Sequence, residues 1–148
     1  MNKKSYLEET LNFLQNKIKA IEHALNETQE SANSDSKSSA GDKHETSRAM
    51  AHLENERLAG QLANLQDQAE VLYKINPEIK SDTINFGSIV ITDKNSFFIS
   101  VGIGKILGQT KNFYAIASNS PVGKNLLGKK VGDSVLFVNS EEKILSIN

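Results

Sequence analysis

Residues 7–25 read LEETLNFLQNKIKAIEHAL, and their apolar spacing decides the reading of the N-terminal half. Leu7, Leu11, Leu14, Ile18, Ile21 and Leu25 recur at intervals of 4, 3, 4, 3 and 4. That is the a/d seam of a helix that packs along another helix. Lys, Glu and Gln between them tolerate water and favour helix. The partner stretch is Met50, Leu53, Leu58, Leu62, Leu65, Ala69 and Leu72, regular from Leu58 onward and out of register between Leu53 and Leu58. The second helix is expected to stop near Lys74 to Asn76, because Pro77 disfavours helical backbone just before it.

Between the seams, Ser31 to Asp42 carries no large apolar residue and cannot bury a core. Its Ser, Asn, Asp and Gly predict a tip loop near 31–45. Asp42, followed three residues later by Glu45, predicts an N-cap and capping carboxylate for the second helix. Two seams joined by a polar loop make an antiparallel hairpin over 1–76, with arms of roughly 40 Å.

Residues 77–148 differ in kind. They hold both prolines and seven of the nine glycines. Ser88–Thr92, Phe97–Ile103, Phe113–Ala117, Ser134–Val138 and Lys143–Ile147 read as strands, with turns at Asp93–Asn95 and Asn139–Glu142. Pro121–Leu127 reads as a short helix. The fold class expected is α+β, a helical hairpin followed by a small antiparallel β domain.

The totals exclude several function classes. A net charge of −1 argues against a protein that coats nucleic acid. Cysteine is absent, which excludes disulfide and thiolate chemistry. No apolar run approaches the ~20 residues of a membrane span, and the polar N-terminus lacks a secretion signal's apolar core. A soluble, cytoplasmic protein is expected, with no membrane partner. The hairpin can satisfy its own seam in a monomer.

Candidate chemistry lies at the tip, in Gly41-Asp42-Lys43-His44-Glu45. Side chains at i and i+3 of a helix share a face, so Asp42 and Glu45 can converge, with Asp35 in the same loop. Carboxylates suit a hard cation such as Mg²⁺, but two need further ligands from a partner. The same pair equally serves as a cap that complements the helix dipole, and the two roles are compatible. His44 reads as a solvated loop residue; His23 and His52 read as surface positions. A second string, Ser120-Pro-Val-Gly-Lys-Asn-Leu-Leu-Gly-Lys-Lys-Val-Gly-Asp133, has a structural reading of its own. Pro121 starts a helix, Gly128 ends it, and Gly132-Asp133 turns into a strand.

These two strings together resemble the GreA/GreB family of bacterial transcript-cleavage factors. The second is close to that family's SPLGxALLGKKVGD signature, and Gly87-Ser88-Ile89-Val90 resembles the start of its C-terminal sheet. The resemblance implies an FKBP-like C-terminal domain over 77–148. It implies a coiled coil inserted in the secondary channel of bacterial RNA polymerase, within reach of the RNA 3′ end. Asp42 and Glu45 match the family's acidic pair, which shares Mg²⁺ with the polymerase active site and stimulates cleavage of backtracked RNA. The chain is then no enzyme by itself and carries no cofactor of its own. The tip departs from the family pattern: Lys43-His44 replaces Leu-Ser, and Thr46-Ser47-Arg48-Ala49 replaces Asn-Ala-Glu-Tyr. A Gre-like regulator without cleavage stimulation, an FKBP-like prolyl isomerase and a purely structural coiled coil therefore stay open. For the isomerase, Phe97, Phe98, Phe113, Tyr114 and Phe137 are sufficiently explained as core.

Overall fold

The computed structural model describes residues 2–35 and 41–148, with side chains described outside 30–44. Two long helices, α1 (Lys3–Asp35) and α2 (Gly41–Tyr73), precede a sheet of six strands. These are β1 (Ile89–Thr92), β2 (Ser96–Ser100), β3 (Gly104–Ile106), β4 (Phe113–Ala117), β5 (Ser134–Phe137) and β6 (Ser140–Ile147), with α3 (Pro121–Leu126) between β4 and β5. The architecture is α+β. The chain divides into one unit of residues 1–13 with 70–148, and a second of residues 14–69.

In the second unit the α1 seam is where its spacing places it. Leu14 is buried, and Ile18, Ile21 and Leu25 are half-buried. The α2 seam differs. Met50 and Leu53 are each 66% exposed, while Ala51 and Asn55 turn away from solvent beside buried Leu58. Ala51, Asn55, Leu58, Leu62, Leu65 and Ala69 keep the 4, 3 rhythm without a slip. The expected irregularity came from following the largest apolar side chains rather than the period. Asn55 Oδ1 is buried there with no hydrogen-bond partner among the described residues. The helices also run further toward the tip than expected: α1 continues through Ser31 to Asp35, and α2 starts at Gly41. Weak local propensities yield once a long helix propagates, because each added residue gains a bond without repeating nucleation.

The first unit is organised around β2, buried at all five positions and central in the order β3-β4-β2-β1-β6-β5. Strand alternation sends Phe97 and Ile99 to one face and Phe98 to the other. On the first face Phe97 and Ile99 join Ile84, Val90, Leu126, Val135 and Ile144 in the core. On the second, Tyr6 from α1 packs edge-on to Phe113, with ring centroids 4.8 Å apart, and lies 6.5 Å from Phe98. Tyr6 is 1% exposed and Thr10 is fully buried, so the root of α1 has a buried face beside its a/d seam.

The sheet is mixed rather than wholly antiparallel. β2 pairs β4 in parallel, Phe97 with Tyr114 through Ser100 with Ala117. The chain leaves β2 at Val101, reverses through Gly102 and Gly104 (φ +94°), and forms β3 two strand positions away. β4 then folds back between them, antiparallel to β3. One further boundary moves. The β5–β6 hairpin closes at Val138-Asn139, since Phe137 pairs with Ser140. Glu141 and Glu142, read as turn residues, therefore lie in β6.

Candidate functional site

Asp42 and Glu45 occupy the first turns of α2, one helical turn apart along its backbone. Gly41 and Asp42 are both helical, so Asp42 lies within α2 rather than at the N-cap position expected for it. A carboxylate there still complements the positive end of the helix dipole. Glu45 is exposed. The side chains of Asp35, Asp42 and His44 lie outside the described residues. Among the described residues no group of three His, Cys, Asp or Glu could hold a metal ion. Two carboxylates on successive turns offer oxygen donors of the right kind for Mg²⁺, but too few to complete its octahedral shell.

The Ser120–Asp133 string resolves into specific contacts. Ser120 is the N-cap of α3: its Oγ accepts from Gly123 N at 3.0 Å and donates to Ala117 O at 2.7 Å. Pro121 fills the first helical position, where no N–H is needed. A Cβ on Gly123 would overlap the carbonyl oxygen of Ala117 and crowd the Ser118 backbone. Leu126 is fully buried in the core. Gly128 takes φ +80° to end the helix, and Gly132 takes φ +93° before Asp133, whose Oδ2 accepts from Lys130 N at 2.8 Å. Each glycine and cap residue of the string thus meets a backbone requirement. Lys124 and Lys130 are exposed.

Beside α3 lies an open cleft of about 420 Å³, walled by Phe97, Tyr114, Ile116, Val122, Phe137 and Val138. Phe97 stands 5.8 Å, centroid to centroid, from both Tyr114 and Phe137. The five aromatic residues read as core lie on two faces: Phe98 and Phe113 are buried beneath Tyr6, while Phe97, in the core of the other face, and Tyr114 and Phe137, half-buried against it, also line the cleft. Buried Glu142 also borders it, holding hydrogen bonds from Thr92 Oγ1 (2.6 Å) and Asn95 Nδ2 (2.5 Å). Alternation of Glu142 with buried Ile144 along β6 could have signalled that glutamate, had the turn been placed two residues earlier.

No family model matches the chain, and no curated protein sequence matches it. Among solved structures it is similar to one titled "Structure of the transcription factor Gfh1", with 23% identity, 99% of this chain and 95% of that chain covered, and a TM-score of 0.36. No helix among the described residues is long and apolar enough to cross a membrane.

Proposed function

We propose that this chain is a Gre-like accessory factor of bacterial RNA polymerase, acting from the end of its helical pair. The observation that carries this reading is the pairing of two features in one chain. Helices of 33 residues each, roughly 50 Å long, bring an acidic pair to the start of α2. The Ser120–Asp133 string, close to the Gre signature, builds the cap, helix and turn of the β unit. Helices of that length have the reach such a factor needs.

In the cleavage reading, Asp42 and Glu45 contribute oxygen ligands to a Mg²⁺ completed by the polymerase active site. A second ion there orients and activates the attacking water in phosphodiester hydrolysis. The chain itself supplies only carboxylates and their placement, so the hydrolysis belongs to the polymerase. The substituted residues around the acidic pair favour a second reading: occupancy of the channel without stimulated cleavage.

The deciding experiment measures RNA cleavage in stalled, backtracked elongation complexes with and without the protein. Acceleration that disappears in Asp42→Ala/Glu45→Ala, with polymerase binding retained, supports the cleavage reading. Binding without acceleration supports the channel-occupancy reading. Failure to bind polymerase overturns both. The aromatic cleft keeps an FKBP-like peptide isomerase in view, and absence of turnover on proline-containing peptides removes it.

A further inference from the structure

Ile79 and Phe86, both in the 1–13/70–148 unit, are large apolar side chains left 62% and 42% exposed. They line a single cavity of about 180 Å³ together with Lys3, Lys74, Ile75 and Gly87. Ile75 is itself buried and supplies apolar wall. Gly87, at φ +90°, leaves that wall bare: a Cβ there would rest 3.4 Å from Ile75 Cγ2. An adjoining cleft shares Lys3 and adds Lys4 and Lys80. Lys3 Nζ donates to Ile79 O at 2.6 Å, holding its ammonium at the rim. Lys4 leans toward Glu8 at 3.9 Å. The two cavities together present four lysines against one glutamate, Glu78, among their described lining side chains. This concentration of positive charge sits in a chain whose net charge is −1.

We propose that this cavity docks an acidic segment of a partner protein, one bulky apolar side chain entering between Ile79 and Phe86 while flanking carboxylates meet Lys3, Lys74 and Lys80. The volume is below the roughly 300 Å³ at which small-molecule sites begin, and suits a single side chain. The apolar walls call for an aliphatic or aromatic anchor, and the lysine rim selects against a basic or neutral segment. A nucleic acid would satisfy the lysines, but its sugar–phosphate backbone offers no aliphatic group to fill the apolar space. The inference is independent of the acidic pair on α2 and of any effect on RNA cleavage.

The test is an amide NMR titration of the full chain with a synthetic peptide, Asp-Glu-Phe-Leu-Glu-Asp, blocked at both ends. Saturable shifts confined to residues around Lys3, 74–80 and 85–87 are expected, with a Kd in the millimolar range and about tenfold weakening on charge reversal in Lys74→Glu/Lys80→Glu. Ile79→Ser, an exposed substitution, is expected to weaken binding severalfold with the spectrum otherwise unchanged. Lack of saturable shifts overturns the proposal. So does equal binding of a peptide with serines in place of Phe and Leu, or stronger binding of a short uridine RNA at the same residues.

Discussion

Thr92 Oγ1 donates a buried hydrogen bond of 2.6 Å to Glu142 Oε2, a residue fifty positions away in the chain. Asn95 Nδ2 reaches the other carboxylate oxygen, Asp93 Oδ1 accepts from Lys143 N at 2.9 Å, and Lys94 Nζ donates to Glu141 O at 3.0 Å. The β1–β2 turn is thereby fastened to β6. Glu142→Ala removes the acceptor shared by a buried hydroxyl and a half-buried amide. A loss of about 2–3 kcal/mol is expected, read as a lower urea midpoint; a loss below experimental error would show that water replaces the carboxylate.

The contrast between two glycines tests the α3 packing. Gly123→Ala sets a Cβ against the Ala117 carbonyl, an atom of backbone that cannot swing aside, and is expected to cost about 2–3 kcal/mol. Gly60→Ala, in exposed helix with nothing within 4 Å of the added Cβ, is expected to stabilise by about 0.5–1 kcal/mol. Thermal melts of the two variants should therefore move in opposite directions.

Asn55 holds a seam position with its Oδ1 unpartnered among the described residues. Asn55→Leu replaces an unsatisfied buried acceptor with seam-compatible apolar surface, so a gain of about 1–2 kcal/mol is expected. Polar seam residues also restrict register and association state. Sedimentation of the variant should show more self-association than the parent, and an unchanged distribution would assign Asn55 no such part.

Tyr6 carries a pH prediction. Burial raises its pKa above the ordinary 10.0, the Ser96 hydroxyl opposes this, and the charge of Glu9 adds to it. A phenol whose folded pKa exceeds its unfolded one binds more protons when folded above pH 10. Its contribution is thus fully present below about pH 10 and is lost as pH rises through the folded value. The unfolding midpoint should fall more steeply above pH 10 in the parent chain than in Tyr6→Phe. Parallel profiles would show that Tyr6 does not titrate differently on folding.

Periodicity and turn chemistry are local, and what depends on them was legible from the sequence. The 4, 3 spacing of Leu7 to Leu25 marks the seam of α1, and Pro77 brings α2 to its end at Tyr73. Ser120-Pro121 opens α3, and Gly128 and Gly132 take the left-handed backbone their positions require. Extending the same spacing back from Leu58 would have found Asn55 and Ala51; the size of Met50 and Leu53 obscured it. Asp42 and Glu45 were singled out by residue type and spacing, which read as readily as a helix cap, and their functional role came from the resemblance to the GreA/GreB family; their helical placement adds only that both lie near the described start of α2.

Other features depended on which surfaces meet, and only the tertiary structure decided them. Tyr6 is buried because Phe98 and Phe113 of the sheet pack against it, on a face of α1 with no apolar stripe to announce it. Glu142 pairs with Val135 in the β5–β6 ladder, and its buried carboxylate is satisfied by Thr92 and Asn95, both remote in sequence. Phe97 and Phe98 are adjacent, yet alternation puts one in the core behind the cleft and the other beneath Tyr6. The parallel pairing of β2 with β4 follows from a reversal that leaves one strand width open. Each is a contact between distant segments, and no local run of residues records which of its two faces another segment will cover.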